Sequence, residues 1–220
     1  MSTATTSSPS SRLGRQHTSH GGASLAVLVA LAGHAGGAHA ANFTVTFTDG
    51  AGKPLVDAVA MLEPAAAKGA VKPGADVEVS QAKRQFNPRV TVITTGTKVT
   101  FPNFDTVRHQ VYSFSPIKAF ELKLYAAGPG APVTFDKPGV AVLGCNIHDT
   151  MAAWIVVSDT PFFARSAASG KASIESLPAG SYKLRVWHAG LTGPEPAPVA
   201  VTIGSADAEQ AMRLAVTLEP

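Results

Sequence analysis

Beyond residue 40 the chain alternates. Phe43-Thr44-Val45-Thr46-Phe47 puts apolar side chains on one face and hydroxyls on the other, the period of a half-buried strand. Val90-Thr91-Val92 and Lys98-Val99-Thr100-Phe101 repeat the pattern. Val140-Ala141-Val142-Leu143, Ala153-Trp154-Ile155-Val156-Val157, Tyr182-Lys183-Leu184-Arg185-Val186-Trp187 and Val199-Ala200-Val201-Thr202-Ile203 are further β-branched or aromatic runs. Turn residues bound them: Asp49-Gly50, Thr95-Gly96, Pro138-Gly139 and Ala179-Gly180. No long 3.6-residue pattern interrupts these short strands, so the expected fold class is all-β, of sandwich architecture. Residues 65 to 80, rich in Ala, Lys, Pro and Gly, fit either a loop or a poor edge strand.

The first forty residues read differently. A Ser/Thr-rich start with Arg12 and Arg15 leads into the apolar run Ala23 to Ala32, then to Ala38-His39-Ala40. A charged flank, a short apolar centre and a small-x-small site predict a secretory signal peptide over residues 1–40, cleaved near Ala40. The apolar run is about half of the roughly 20 residues a membrane span needs, so no span is expected after cleavage. Arg12 and Arg15 are not a twin pair, which favours the general export route and a periplasmic location.

Removing that segment changes the charge and the chemistry. The net charge of +3 falls to +1, because both early arginines leave and sixteen basic residues then face fifteen acidic ones. Such a balance gives no footprint for nucleic acid. Of seven histidines, only His109, His148 and His188 remain, beside the single cysteine, Cys145. One cysteine cannot form a disulfide within the chain. In an oxidising compartment it has to be buried or held by a metal.

Cys145, His148 and Met151 recur every three residues just after a strand ending near Leu143. A strand would send Cys145 and His148 to opposite faces, whereas a tight loop turns all three toward one point. His109 has to arrive from a distant strand. One thiolate, two imidazoles and one thioether form a soft set without a carboxylate, which suits copper better than calcium or magnesium. Structural zinc rarely takes methionine. Singly, each of these residues has a plainer use as a buried thiol, a satisfied histidine or a packing methionine. His188, in Trp187-His188-Ala189-Gly190, has no such company.

Two resemblances follow from these residues. Asn103-Phe104-Asp105 with His109, followed by Cys145-Asn146-Ile147-His148-Asp149-Thr150-Met151, resembles the cupredoxins and is closest to the amicyanin type. Phe86-Asn87-Pro88 and the Gly96, Val99, Phe101 strand belong to the same likeness, which covers residues 82–159. It implies His109, Cys145 and His148 as equatorial ligands and Met151 as the axial ligand of one type 1 (blue) copper ion. Gln110 departs from the family, which has Asn after the first histidine; this leaves open the side-chain bond tying the two ligand strands together, but not the ligands. Val45 to Val59, and Gly170 to Leu184 with its Leu177-Pro178-Ala179-Gly180 turn, resemble the two halves of a carboxypeptidase-regulatory-like, transthyretin-like sandwich. The expected organisation is that sandwich over residues 41–81 and 160–220, split by the cupredoxin domain at 82–159. The whole chain, with its Tyr112 to Pro116 run, also resembles exported proteins labelled as methylamine-utilisation proteins.

The expected function is a periplasmic carrier of single electrons between redox protein partners. It is not an enzyme, because four protein ligands leave no open position and no nucleophile or dinucleotide motif appears. The alternatives are a copper-binding or delivery module, and an adhesion or scaffold protein that uses only the sandwich. By analogy with cupredoxins, His148 presents its ring edge as the electron port, with Thr150, Ala152 and Ala153 around it. Arg108, Lys118 and Lys123 form either a solvated face or a rim for an acidic partner.

Overall fold

The computed structural model describes residues 40–66 and 70–217; the expected export signal lies outside the described residues, as do residues 67–69 of the segment left open above. Every regular element described is a strand. In chain order they are β1 (Ala41–Thr48), β2 (Val59–Pro64), β3 (Val77–Glu78), β4 (Ser80–Ala82), β5 (Gln85–Asn87), β6 (Val90–Thr94), β7 (Thr97–Thr100), β8 (His109–Ser115) and β9 (Lys118–Tyr125). Then come β10 (Val133–Phe135), β11 (Gly139–Gly144), β12 (Ala152–Ser158), β13 (Phe163–Arg165), β14 (Lys171–Leu177), β15 (Gly180–Trp187), β16 (Val199–Ile203) and β17 (Ala208–Arg213). The all-β class read from the alternation is therefore the fold observed. Residues 70–80 are irregular except for β3 and the start of β4, and β3 pairs parallel with β7 at a sheet edge.

The strands sort by position in the chain. β1 lies between β14 and β17, and β2 lies between β13 and β15, with β16 beyond. These two sheets draw only on residues 41–64 and 163–213. The residues between them make a five-stranded sheet in the order β6-β12-β11-β8-β9, a three-stranded sheet β10-β7-β3 and the hairpin β4-β5. Each group fills its own core. Phe43, Val45 and Phe47 point inward from β1 onto Leu62, Ile174, Leu177 and Leu184. Phe86, Phe101, Val111, Phe135, Leu143 and Ile155 fill the other core, and Cys145 and Met151 belong to it. A third, smaller cluster joins the groups, with Val59, Met61 and Trp187 packed against Val90 and Val156.

His188 is a structural residue of that junction. Its Nε2–H donates to the Val56 carbonyl at 3.1 Å, and its Nδ1 accepts from the Gly190 N–H at 3.0 Å, which fixes a neutral tautomer. Burial pushes its pKa below the ordinary value of 6.5, against smaller upward pulls from the Val56 bond and Asp57. The unfolded chain therefore takes up this proton more readily than the folded one. Stability from His188 is complete above pH 6.5 and is lost as pH falls through the depressed folded value. Urea midpoints are expected to drop between neutral pH and about pH 5, and His188→Gln should flatten that part of the profile.

Candidate metal centre

His109 opens β8, and the loop before it is built by two polar side chains. Asn103 is 1% exposed. Its amide donates to the Val107 carbonyl at 2.9 Å, while its side-chain oxygen accepts the Asp105 N–H at 2.9 Å. This Asx-type closure turns the Asp105 carboxylate back toward the sheet. There Oδ1 accepts the Lys83 N–H at 2.7 Å, and Oδ2 accepts the Arg84 N–H at 2.9 Å and His109 Nε2 at 2.8 Å. The Arg84 N–H bond is the largest cause holding the Asp105 carboxyl below the usual carboxylate range; burial opposes it, and the bonds to His109 and Lys83 assist.

That carboxylate decides the state of His109. An ionised carboxylate only accepts, so Nε2 must carry the proton, and in the neutral imidazole Nδ1 then presents a bare lone pair. Nδ1 points into the protein, where His109 is fully buried. Three atoms meet there. His109 Nδ1 lies 3.1 Å from His148 Nδ1 and 3.9 Å from Cys145 Sγ, and His148 Nδ1 lies 3.7 Å from the same sulfur.

The loop that supplies the other two atoms follows from its spacing. After β11, His148 N–H donates to the Cys145 carbonyl at 3.4 Å and Met151 N–H donates to the His148 carbonyl at 2.9 Å. Each step of three residues is thus one turn, and two consecutive turns carry the chain from Cys145 to Met151. Cys145 is 3% exposed and Met151 1% exposed; both line the same groove, with Asn146 and Asp149 at its mouth. His109, Cys145 and His148 are brought to one point, and Met151 is buried beside Cys145. His188 stands apart.

A donor set of this kind fits a copper ion. A point equidistant from three atoms with those separations lies about 2.1 Å from each, the length of nitrogen and sulfur bonds to a first-row cation, about 2.0 to 2.3 Å. Two imidazole nitrogens and a thiol facing one another without a carboxylate select a soft or borderline ion.

One detail departs from the sequence reading, and others add to it. Ala153 is not a surface neighbour of His148: it faces inward opposite Leu143 and is 1% exposed. Strand alternation after the loop puts it in the core. Thr150 is exposed and Ala152 half-buried, while Ile147, at 52% exposed, is the apolar neighbour of the half-buried His148. Gln110 turns away from the Cys145 loop and donates to Glu121 on β9 at 2.6 Å. Asp105 went unread as the partner of His109, although a carboxylate four residues before a candidate ligand was a visible signal.

An amide at position 105 has one accepting oxygen against three donors. Asp105→Asn leaves at least one of Lys83 N–H, Arg84 N–H and His109 Nε2–H without an acceptor and loosens the ring. The expected result is a 10- to 100-fold loss of copper affinity in a chelator competition, roughly, with unchanged far-ultraviolet dichroism.

No protein-family model and no curated protein matches the chain. Among solved structures, 44% of the chain is similar to the copper-containing nitrite reductase from Thermus scotoductus SA-01, at 29% identity and a TM-score of 0.37. The match spans 26% of that reductase. A purple cupredoxin from Nitrosopumilus maritimus is matched over 38% of this chain and 99% of its own, at 22% identity and a TM-score of 0.34. Amicyanin from Paracoccus versutus is matched over 40% of this chain and 92% of its own, at 23% identity and a TM-score of 0.35.

Proposed function

We propose that the chain is an exported type 1 copper protein that carries single electrons between redox proteins, with His109, Cys145 and His148 holding the ion and Met151 beside it as the weak fourth donor. The observation that carries this reading is the meeting of two imidazole Nδ1 atoms and one sulfur around a single point. The resemblance of residues 82–159 to cupredoxins supports it, and the signal-like residues 1–40 support export.

Bound there, copper would supply a one-electron couple, because a thiolate and two imidazoles lie between the preferences of cuprous and cupric ions. The chain's own residues account for the rest. Asp105 fixes the His109 ring and its tautomer through Nε2, and the paired turns at 145–151 fix Cys145 and His148 relative to each other. Cys145 and Met151 are almost fully buried, which leaves the sulfur little contact with water and limits rearrangement when the charge of the site changes. His148, half-buried beside Ile147, brings one ring edge toward solvent. Four donors from the chain leave no place for a substrate, so the reading is transport rather than catalysis.

Copper loading tests it. One cupric ion per chain should give an intense visible band and a type 1 spin-resonance spectrum, both bleached by ascorbate and restored by oxidation. A colourless protein that prefers the cuprous ion and yields it to a chelator would replace the carrier by a delivery module.

A further inference from the structure

The last strand, β17, is paired on one side only. It runs parallel to β1 over all six of its residues without a register shift, and no described strand pairs with its other side. The Leu214 N–H donates to the Thr48 carbonyl at 2.9 Å, which fixes the parity of the ladder: the even residues of β17 bond to β1. Glu209, Ala211 and Arg213 therefore turn their N–H and C=O groups to the open edge. The same parity continues beyond β17, where the Ala215 carbonyl accepts from the Thr192 N–H at 3.1 Å and the Thr217 N–H donates to the Gly190 carbonyl at 2.8 Å. The loop at 190–192 thus covers the edge past Leu214 and leaves 209–213 open. In the single chain the Ala211 carbonyl takes a bond from the Gln210 side-chain amide at 2.9 Å, a contact that a neighbouring strand would replace.

Proteins guard open edges with prolines, bulges or charge. Two other edges carry such guards: Pro194, Pro196 and Pro198 lead into β16, and β9 breaks register between His109 and Val111. β17 has neither proline nor bulge. Its charges are Glu209 and Arg213, both exposed, and neither makes an ion pair among the described residues. Their side chains leave the same face as that of Ala211, which stands midway between them. The spacing is self-complementary. About a two-fold axis through Ala211, an antiparallel copy sets Glu209 opposite Arg213 of the second copy, repeats the match at the other end and places Ala211 opposite itself. All three pairs are of the kind that exchanges both N–H···O bonds, because all three residues turn their backbone outward. A register slipped by two residues sets Arg213 against Asp207 of the copy, but Asp207 already accepts from the Asn42 N–H at 2.8 Å. A parallel copy in register sets like charges side by side.

We propose that β17 is the seam of a homodimer, in which two copies pair antiparallel about Ala211 and join their three-stranded sheets into one of six strands. The occupant is a second copy of this chain, because the charge pattern of the edge matches its own reverse. Opposite charges directly across antiparallel strands stabilise the pair and like charges oppose it, so the same two residues select the register and turn away other neighbours. Pairing also removes the unpaired backbone by which an open edge templates aggregation. The seam does not depend on what the metal centre binds.

Sedimentation velocity tests it on the full chain, expressed with residues 1–40 in place and recovered as the cell processes it. Wild type should pass from monomer to dimer as its concentration rises. Glu209→Arg and Arg213→Glu should each weaken the dimer roughly tenfold or more, since each sets like charges across both ends of the seam. Mixed in equal amounts, the two variants should form a dimer of one copy of each, because a cation then meets an anion at both ends. Both exchanges in one chain should restore the dimer of the wild type. Ala211→Pro keeps the bonds to β1 and takes one N–H from the open edge; it should be monomeric with unchanged far-ultraviolet dichroism. A wild type that stays monomeric at the highest concentration reached overturns the seam. So does a dimer that both charge variants and Ala211→Pro leave intact, or a double exchange that stays monomeric although its dichroism matches wild type.

Discussion

Cys145→Ser should remove the visible band of the copper-loaded protein completely while leaving the protein folded. The band expected of the wild type requires a thiolate, and no second cysteine can take its place. A serine hydroxyl stays protonated at neutral pH and is a hard donor, poorly matched to an ion held by two imidazoles. The fold tolerates the change because oxygen is smaller than sulfur and the site faces other polar atoms. Cys145 is nevertheless 3% exposed within the core. Burying the hydroxyl is expected to cost about 1 to 3 kcal/mol where its hydrogen bonds are incomplete. Visible absorption, spin resonance and a urea titration on the same sample separate the two effects. An intense blue colour in the serine variant would dismiss the sulfur as a ligand.

The largest loss of stability is expected from Phe101→Ala. Phe101 is fully buried at the end of β7, stacked on Phe120 at 5.8 Å, and Phe120 meets Phe135 edge-on at 6.1 Å. Its carbonyl also accepts from Gln81 Nε2 at 2.8 Å and from the Tyr125 hydroxyl. Removing the ring empties a space beside Phe120, which its own contact with Phe135 hinders from closing over it. A loss of about 3 to 5 kcal/mol follows from deletions of this kind. For a chain of this size that lowers the thermal midpoint by roughly 6 to 20 °C. Phe101 also leads directly into the loop that orients His109, so copper affinity should fall in the same variant. A midpoint within about 2 °C of wild type would mean that this cluster does not carry the core.

The alternating runs were legible because one face of each is buried. Phe43, Val45 and Phe47 show it on β1, as do Val99 and Phe101 on and beyond β7. β2 was harder to see, since Val59-Ala60-Met61-Leu62 is buried on both faces and carries no period of two. β8 and β9 were obscured by outward aromatic and apolar residues such as Phe114 and Leu124. The three-residue spacing from Cys145 to Met151 was legible as a loop because it equals the repeat of successive turns. Ala153 was misplaced because its side depends on where the last turn hands over to β12, one residue earlier or later. Asp105 and the Lys83 and Arg84 amides were hidden for another reason. They meet His109 only through a hairpin about 20 residues earlier in the chain, and a sequence does not display such a meeting.

The placement of β1 has a consequence for how the protein is made. Its neighbours β14 and β17 belong to the far end of the chain, and Asn42 finds Ser176 across a separation of 134 residues. A ribosome delivers the first strand long before either flank exists. For that interval a strand of eight residues, apolar on one face, has unpaired backbone on both sides, the condition under which nascent chains stick to one another. The central strands find all their partners within residues 77–158, whereas β1 is flanked on both sides only once β14 and β17 have been made.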